Sequence, residues 1–435
     1  MARSDRPPAV VLGVQLPGVS DEEHRSSLAE LTRLGKTLGV QAVAQVSQRR
    51  PQLDRAAVVG KGKLRELAEL TGAGSELPDP APPADPAVPR PRIVLVDHPI
   101  TPSQARQLEL ACGAEVIDRT AVILAIFQRH ARSREARLQV EIARLAYWAP
   151  RVRESSAGKG RQGGGIGGRG AGESQLELDR RKIRDRIAEL RAEIEAIQRR
   201  DGVRRSRRAE QNRVALVGYT NAGKSSLMRG LTGSEVETAD RLFATLDPTV
   251  RALAPETTPR ILVSDTVGFI KELPHELVAS FRSTLDEACE ADLLLHVVDA
   301  SDAACAAQRE VTLEVLAEIG AGEVPRLLLL NKIDRVDEAG RERLRADHPE
   351  ALLLSAKDPE DVARLHARIR AWFERDLVDA ELRVPYPLQR LVAEIHASCR
   401  VLAESYDEEG ALLRLRAAPA VLARLRAAVG PRAAD

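Results

Sequence analysis

Residues 218–225 read Gly-Tyr-Thr-Asn-Ala-Gly-Lys-Ser, and they decide the fold of the region around them. This stretch, the phosphate loop, fits G-x-x-x-x-G-K-[ST], follows the apolar run 214–217 and precedes the helix-like start 226–228. Glycine at Gly218 and Gly223 lets backbone N–H groups converge on an anion at a helix N-terminus. Strand, loop and helix together predict a phosphate-binding site in a parallel α/β sheet.

The phosphate loop assigns roles to particular side chains. Lys224 is expected to reach the β and γ phosphates of a nucleoside triphosphate and to act in catalysis, and the Ser225 hydroxyl is expected to bind Mg²⁺. A tight strand-to-helix turn with an incidental lysine is the alternative. The residues predicted to bind the nucleotide here are Gly218, Tyr219, Thr220, Asn221, Ala222, Gly223, Lys224, Ser225 and Ser226.

Length, charge and cysteine content limit the kinds of protein that this sequence can encode. The chain has 435 residues, which suits about three domains, and a net charge of only +1, so attraction to an anionic partner must come from local patches. Its four cysteines lack CxxC spacing and predict reduced thiols. The chain has neither an apolar run of membrane-spanning length nor a signal-peptide core. We therefore expect a cytoplasmic protein without a membrane anchor.

Residues 1–130 are predicted to form an α/β domain, because short β-like runs alternate with helical ones. A Pro/Ala-rich insert at 72–92 interrupts it. No nucleophile, metal cluster or carboxylate pair stands out in this domain. The expected strands are 10–14, 40–46, 93–96 and 115–117, and the expected helices are 21–38, 63–70 and 102–111.

Residues 131–210 are predicted to form an antiparallel helical hairpin. Apolar residues recur every three or four positions over 134–148 and 175–199, and the loop 150–172 separates the two runs. The hairpin has 21 Lys or Arg against 12 Asp or Glu, a net charge of +9. An intermolecular coiled coil is the alternative, although we expect a monomer.

The loop 150–172 is rich in glycine, basic and nearly free of acidic residues. Glycine brings backbone N–H groups close to a partner, and arginine and lysine bind phosphate. A basic loop on a helical stalk suits folded RNA, whose surface presents phosphates and 2′-hydroxyls. A plain linker is the alternative. The residues predicted to contact RNA are Arg151, Arg153, Lys159, Arg161 and Arg169.

Residues 211–375 hold three further motifs at the ends of apolar runs. Asp265-Thr266-Val267-Gly268 offers a carboxylate for Mg²⁺ and gives Gly268 a catalytic role, since its N–H can bind the γ phosphate. The Asp334 carboxylate can accept two N–H bonds from guanine, a pair that adenine lacks. These motifs predict a GTPase domain that binds GTP and GDP. Its predicted base-binding residues are Asn331, Lys332, Asp334, Ser355, Ala356 and Lys357.

A threonine between the phosphate loop and Asp265 completes the expected metal site. Such a threonine binds Mg²⁺ and the γ phosphate while GTP is present, and its loop relaxes after hydrolysis. Thr245 leaves room for one strand pair before Asp265, and Thr249 is the alternative. The predicted metal ligands are Ser225, Thr245 and Asp265, and Thr245 is also predicted to act in catalysis.

Residues 376–435 predict a small α+β domain in the order strand, helix, strand, turn, strand, helix, with the turn at 407–410. No chemistry is evident in these residues. A docking module is the preferred interpretation.

These motifs resemble those of the HflX family of ribosome-associated GTPases, and the resemblance covers nearly the whole chain. It rests also on Gly-Gly-Gly-Ile-Gly at 163–167 and on Gly-Glu-Ser-Gln-Leu-Glu-Leu-Asp-Arg-Arg at 172–181, where only Ser174 replaces the usual threonine. It implies an N-terminal α/β domain, a helical hairpin, a Ras-like P-loop GTPase domain with a mostly parallel sheet and helices on both faces, and a C-terminal module. It also implies binding to the large ribosomal subunit, with the hairpin tip at ribosomal RNA near the peptidyl-transferase centre, and GTP-dependent splitting or rescue of stalled ribosomes under stress.

Two residues refine the expected mechanism. Phe269 stands where Ras-type enzymes carry a water-orienting glutamine, so we expect GTP hydrolysis to be slow alone and stimulated by the ribosome. Asn221 stands where related GTPases use an asparagine to coordinate K⁺, which makes Asn221 a candidate catalytic residue and K⁺ a candidate cofactor. A role in shaping the loop is the alternative for Asn221.

Two other functions fit parts of the sequence. A nucleotide-regulated protein that binds or remodels RNA generally would also use a basic hairpin. A structural protein would use the hairpin as a dimerisation arm.

Overall fold

The computed structural model describes residues 6–73, 90–157, 175–208, 211–233, 242–243, 249–271 and 282–430. The chain divides into two compact units. The first comprises Met1–Arg199, Asp240–Asp247 and Glu272–Arg282, and the second comprises Arg200–Ala239, Pro248–Lys271 and Ser283–Asp435.

The first unit is built on a four-stranded parallel sheet in the order β2-β1-β3-β4. Its strands are β1 (Pro8–Gln15), β2 (Gln41–Arg49), β3 (Ile93–Val96) and β4 (Glu115–Asp118). The helices between them are α1 (Asp21–Leu38), α2 (Lys61–Thr71), α3 (Pro102–Cys112) and α4 (Arg119–His130). The predicted strands and helices are all present. Helix α4 was not predicted, because half of its residues are buried and it lacks a polar face that would reveal its period.

Two helices, α5 (Arg134–Ala157) and α6 (Gln175–Arg208), form the predicted hairpin. Leu138, Ile142 and Leu190 are buried between them. Arg186 of α6 pairs with Glu141, and Glu193, further along α6, pairs with Arg134, nearer the start of α5. Since later residues of one helix meet earlier residues of the other, the pairing is antiparallel and lies within one chain.

The boundary predicted at Pro150 is wrong, since α5 continues through this proline to Ala157. Proline inside a helix removes one backbone N–H bond and usually ends the helix. Here the next residue, Arg151, stabilises the helix at the position of the missing backbone hydrogen bond. Its guanidinium donates to the Tyr147 carbonyl at 3.0 Å and to the Ile100 carbonyl at 2.9 Å.

A short piece of sequence from the predicted GTPase region packs in the first unit. Phe243 is 2% exposed, and its ring meets that of Phe127 edge to face with centroids 4.5 Å apart. The backbone N–H of Leu242 donates to the Thr37 hydroxyl at 3.4 Å. The domain that sequence motifs outline and the unit in which residues pack therefore differ at this segment.

The second unit contains a six-stranded sheet in the order β10-β9-β8-β5-β7-β6, in which only β6 is antiparallel to its neighbour. Its strands are β5 (Asn212–Gly218), β6 (Thr249–Ala252), β7 (Ile261–Asp265), β8 (Leu293–Asp299), β9 (Arg326–Asn331) and β10 (Leu352–Leu353). Its helices are α7 (Lys224–Thr232), α8 (Arg282–Cys289), α9 (Cys305–Glu318), α10 (Glu338–Asp347) and α11 (Pro359–Glu374).

Both faces of this sheet are covered. Leu295 and Val297 of β8 join a core with Leu227 of α7 and Leu365 of α11. Because side chains alternate along a strand, His296 points to the opposite face, where α9 contacts β8. This arrangement confirms the predicted P-loop GTPase fold with a mostly parallel sheet.

The second unit also contains a three-stranded antiparallel sheet in the order β11-β13-β12. Its elements are β11 (Val378–Pro385), α12 (Arg390–Ser398), β12 (Arg400–Tyr406), β13 (Gly410–Ala417) and α13 (Pro419–Val429). The N–H of Asp407 donates to the Gly410 carbonyl at 3.0 Å, which closes the predicted turn. The small α+β fold is confirmed. Every helix described above is too short or too polar to span a membrane.

Candidate nucleotide-binding site

The predicted nucleotide motifs lie at one edge of the six-stranded sheet. Strands β5, β7, β8 and β9 run parallel, so their carboxyl ends and the loops that follow them meet there. All residues of the phosphate loop are described, and its last two residues, Lys224 and Ser225, begin α7. The structure therefore brings together the loop, the Asp265 motif and the Asn331 motif.

Two glycines of the phosphate loop are required by their conformation and surroundings. Gly218 has φ 147° and Gly223 has φ 102°, values that other residues rarely adopt. A Cβ atom on Gly218 would lie 2.2 Å from the Val297 carbonyl oxygen, and one on Gly223 would lie 2.1 Å from Nδ2 of Asn331. Any side chain at either position would push the loop away from the strands that hold it.

The Lys224 side chain is turned into the phosphate loop and is 6% exposed. Its Nζ donates to the carbonyl oxygens of Gly218 at 3.0 Å and of Tyr219 at 2.9 Å. Burial lowers the pKa of Lys224 to about 8, against the opposing effect of the Asp265 carboxylate. An ammonium group has three N–H donors, so one is left to bind a phosphate oxygen.

Ser225 and Asp265 form the described part of the predicted metal site. The Ser225 hydroxyl donates to Oδ2 of Asp265 at 2.9 Å, and Asp265 is completely buried. A hydroxyl next to a buried carboxylate offers the hard oxygen ligands that Mg²⁺ prefers, so these residues fit the ion. Thr245 lies outside the described residues. The alternative, Thr249, begins β6 opposite Asp265 in the strand register.

The segment after Asp265 is held against the phosphate loop. Phe269 donates its N–H to the Gly218 carbonyl at 3.1 Å, and its own carbonyl accepts from the Thr220 N–H at 2.7 Å. The N–H of Lys271 donates to the Tyr219 hydroxyl at 2.7 Å. Gly268 is so close to the loop that a Cβ there would lie 2.9 Å from Cα of Thr220. This position suits a Gly268 N–H aimed at a phosphate in the loop.

Asn331 connects the loops of the site. Its Nδ2 donates to the Ala222 carbonyl at 2.7 Å, and its Oδ1 accepts from the Ala356 N–H at 2.9 Å. Asn331 thereby links the loop predicted to bind phosphate to the loop predicted to bind the base. Asn331 is 1% exposed, so its amide acts on other loops rather than on solvent.

Asp334 is positioned as an acceptor for the base. Its Oδ1 accepts a bond from the Ser355 hydroxyl at 2.7 Å, and this bond lowers the pKa of Asp334. The carboxylate is therefore ionised at neutral pH and can accept N–H bonds. Asp334, Ser355 and Lys357 also line a cavity of about 730 Å³ together with Arg341 and Arg364, and no residue of the phosphate loop lines this cavity.

Two carboxylates of the base site were not predicted. Asp299 ends β8, and its Oδ2 lies 2.7 Å from Nζ of Lys332. Asp361 accepts from the Ser355 N–H at 2.6 Å. The place of Asp299 at the end of an apolar run was a usable signal, whereas Asp361 lies in the first turn of α11, where acidic residues are common.

Asn221 adopts a left-handed backbone conformation with φ 61°. Asparagine tolerates this region better than most residues, which supports a part in shaping the loop.

Two of the residues predicted to contact RNA lie in the described part of the first unit. Arg151 is on α5, where its guanidinium pairs with Asp118 at 2.9 Å and stacks on the Tyr147 ring at 3.4 Å. Because these contacts leave its side chain 16% exposed, we remove Arg151 from the proposed RNA contacts. Arg153 also lies on α5. The remaining three, Lys159, Arg161 and Arg169, lie outside the described residues.

Three families match successive parts of the chain. Residues 25–128 match the family described as GTP-binding GTPase N-terminal, and residues 130–208 match GTP-binding GTPase Middle Region. Residues 213–332, which contain most of the site, match the family described as 50S ribosome-binding GTPase.

Full-length relatives are similar over nearly the whole chain. GTPase HflX of Gluconacetobacter diazotrophicus is 56% identical over 98% of this chain and 98% of its own length. GTPase HflX of Escherichia coli is 38% identical over 90% of each chain. A solved GTP-binding protein from Sulfolobus solfataricus in complex with GDP is 23% identical over 83% of this chain and 99% of its own, with a TM-score of 0.43, too loose a superposition to transfer residue roles. The chain belongs to the HflX family of GTPases, and it binds GTP and GDP and hydrolyses GTP.

Proposed function

We propose that the protein is a translation factor that binds the large ribosomal subunit in its GTP form and splits or rescues stalled ribosomes. The hairpin tip reaches ribosomal RNA near the peptidyl-transferase centre. The protein acts under stress, as a monomer, in the cytoplasm and in part on ribosomes.

The observation that carries this proposal is the match of residues 213–332 to a family described as 50S ribosome-binding GTPase. The basic hairpin supports it, because residues 131–210 have 21 Lys or Arg against 12 Asp or Glu. Such a charge favours binding to phosphate-rich RNA. The proposed RNA contacts are Arg153, Lys159, Arg161 and Arg169.

The site performs its chemistry through groups already in position. The third N–H of Lys224 binds a β- or γ-phosphate oxygen, the Gly268 N–H binds a γ-phosphate oxygen, and Asp334 accepts the guanine N–H groups. Ser225 and Asp265 hold Mg²⁺, with Thr245 as a further ligand. The ion, when bound, offsets the charge of the phosphates.

Hydrolysis is proposed to be slow in the free protein. Phe269 follows Gly268 and its side chain is 1% exposed and apolar, so it cannot orient the attacking water. The ribosome supplies the missing group or rearranges the segment. Large subunits should therefore raise the rate of GTP turnover, and equal rates with and without them would exclude this part of the proposal.

K⁺ is proposed to assist hydrolysis through Asn221. GTP turnover should be faster in K⁺ than in Na⁺, and Asn221→Ala should remove the difference. Asn221→Gly is the matched control, since glycine keeps the left-handed backbone and lacks the side chain. If either variant retains the preference for K⁺, Asn221 does not bind the ion.

The central test is co-sedimentation of the full-length protein with ribosomes. We expect the form bound to a non-hydrolysable GTP analogue to sediment with large subunits and to separate 70S ribosomes, and the GDP form to do so much less. Equal binding of both forms without subunit separation contradicts the proposal.

Charge-matched variants test the hairpin. Replacing Lys159, Arg161 and Arg169 by alanine should weaken ribosome binding, because each substitution removes a proposed phosphate contact. Replacing Arg343, Arg368 and Arg370 removes the same charge from exposed helical positions of the second unit. If both triple variants bind equally, the tip is not the RNA contact.

The basic hairpin also fits a nucleotide-regulated protein that binds RNA generally. Competition separates the two functions. A ribosome factor should bind large subunits in the presence of excess unrelated RNA, at a salt concentration that suppresses non-specific binding. A general RNA-binding protein should lose its ribosome signal under those conditions.

A further inference from the structure

The Thr220 hydroxyl is a buried polar group without a hydrogen-bond partner. Thr220 lies in the phosphate loop, is 7% exposed, and its Oγ1 has no hydrogen-bond partner in the described part of the chain. Buried hydroxyls are usually paired, because an unmade hydrogen bond leaves the cost of desolvation uncompensated. An unpaired hydroxyl inside a ligand-binding loop therefore calls for an explanation.

Three other hydroxyls around the phosphate loop are already paired. Ser225 donates to Asp265, and Thr266 donates to the Leu216 carbonyl at 2.7 Å. The Tyr219 hydroxyl accepts from the Lys271 N–H. Thr220 thus differs from three neighbours that carry the same chemical group.

Thr220 lies where the γ phosphate is expected. A Cβ atom on Gly268 would lie 2.9 Å from Cγ2 of Thr220 and 3.1 Å from Nζ of Lys224, so the three residues surround one small region. Both Gly268 and Lys224 belong to motifs that bind the γ phosphate in P-loop GTPases. The Thr220 hydroxyl is carried by the same Cβ as the methyl group Cγ2, so a rotation about χ1 brings it within reach of the same phosphate.

Phe269 cannot provide this contact. Its side chain is apolar, and its N–H and carbonyl are both bonded to the phosphate loop. The carbonyl accepts from the Thr220 N–H at 2.7 Å, which holds the Thr220 backbone in place. Because the backbone that carries the hydroxyl is already fixed, little reorganisation of the loop is needed in the transition state.

We propose that Thr220 is a catalytic residue of GTP hydrolysis, whose hydroxyl donates a hydrogen bond to a γ-phosphate oxygen as charge is redistributed there. The water oxygen bonds to the γ phosphorus while the bond to the β–γ bridging oxygen breaks, and its electron pair leaves with GDP. The proton of the water ends on the released phosphate or in solvent. Thr220 transfers no proton.

Thr220→Val tests the proposal in the full-length protein, since valine keeps the branched shape and lacks the hydroxyl. We expect single-turnover GTP hydrolysis to slow about 10- to 100-fold, with GDP affinity within about twofold of wild type, because GDP lacks the γ phosphate. Thr220→Ser should restore most of the rate, since it restores the hydroxyl.

Thr312→Val is the matched control. Thr312 is completely buried on α9, and its hydroxyl donates to the Gln308 carbonyl at 2.9 Å, away from the nucleotide motifs. Its hydrolysis rate should equal that of wild type. A Thr220→Val protein that hydrolyses GTP at the wild-type rate overturns the proposal. So does one that loses GDP affinity as much as rate, because Thr220 would then only shape the loop.

Discussion

The two parallel sheets of this molecule use their strand ends differently. In the first unit, Asp97 follows β3 and Asp118 ends β4, and each carboxylate is paired with a buried or half-buried arginine. In the second unit, Asp265 ends β7 and accepts a bond from the Ser225 hydroxyl. The same kind of sheet thus places carboxylates at the same edge with different partners.

This difference distinguishes the edge of the first sheet, which we call the structural edge, from the edge of the second sheet, which we call the ligand-binding edge. A carboxylate paired with an arginine has its charge neutralised inside the protein and has little to offer a cation. A carboxylate bonded to a hydroxyl keeps its charge and can share that hydroxyl with a metal ion. Parallel sheet topology alone therefore does not identify a functional edge. The partners of each carboxylate identify it.

The largest expected effect comes from breaking the structural edge. Arg119 is 2% exposed and pairs with both Asp97 and Glu30. Arg119→Met leaves two buried carboxylates without their cation and should lower the free energy of unfolding by about 3–5 kcal/mol. Urea unfolding followed by Trp148 fluorescence, in a protein with Trp372 replaced by Phe, measures this in the first unit.

A compensated variant sharpens that result. Replacing Arg119, Asp97 and Glu30 together by apolar residues of similar size should recover most of the lost stability, because no buried charge is left unpaired. The GDP affinity should stay unchanged in both variants. A loss of GDP affinity in Arg119→Met would show that the structural edge also contributes to nucleotide binding.

His296 in β8 is expected to make stability depend on pH. It is 2% exposed, its Nε2 has no partner within the described ranges, and burial, together with Arg326, Arg309 and Lys224, lowers its pKa to about 4. The unfolded state then binds more protons between pH 6.5 and 4. Stability should therefore fall by about 3 kcal/mol as pH drops through this window.

Trp372 fluorescence during urea unfolding at several pH values measures this dependence. His296→Leu should flatten it, because no proton is then taken up at this position. An unchanged pH slope in the variant would assign the acid sensitivity to other groups.

Asp334→Asn tests the ligand-binding edge by exchanging an acceptor for a donor. GTP affinity should fall about 100-fold, since the amide cannot accept both guanine N–H groups. Xanthosine triphosphate, which carries an oxygen in place of the guanine amino group, should bind better than GTP. Calorimetric titration with each nucleotide measures the switch.

Asp358→Asn is the control for that exchange. Asp358 lines the same cavity and caps α11, and asparagine caps a helix equally well. Its GTP affinity should equal that of wild type. Equal losses in both variants would mean that charge near the cavity, rather than recognition of the base, controls binding.

The smallest expected effect concerns Tyr147, whose hydroxyl donates to Oδ1 of Asp118 at 2.8 Å. Tyr147→Phe removes this bond but leaves Arg151 paired with Asp118, so unfolding of the first unit should be easier by about 1 kcal/mol. Tyr406→Phe, at an exposed tyrosine, should have no measurable effect. A loss of several kcal/mol in Tyr147→Phe would mean that Arg151 alone does not hold Asp118.

Much of the fold was predictable because local patterns carry it. The alternation of apolar runs and amphipathic segments predicted the strands of the first sheet, apolar runs before the nucleotide motifs predicted most strands of the second, and the turn at 407–410 predicted the C-terminal hairpin. Helix α4 was missed because half of its residues are buried and it lacks a polar face that would reveal its period. The predicted end of α5 at Pro150 was wrong. Arg151 contacts residues that are distant in sequence, and these contacts stabilise the helix beyond the proline.

The sequence by itself determined the chemistry that requires particular residue types at fixed spacing. Glycines at 218 and 223, Lys224 and Asp334 specify a loop for phosphate and an acceptor for guanine, because only these groups satisfy the backbone and hydrogen-bonding demands of a GTP site. Their order along the chain was enough to predict a GTPase.

Only the tertiary structure decided which polar groups are already used. Arg151 is occupied by Asp118, Asn331 holds two other loops, and the Thr220 hydroxyl has no partner in the described chain. Phe243 packs on Phe127 in the first unit although its sequence lies among the GTPase motifs. These partners are distant in sequence, and such contacts depend on how the elements pack rather than on any local pattern.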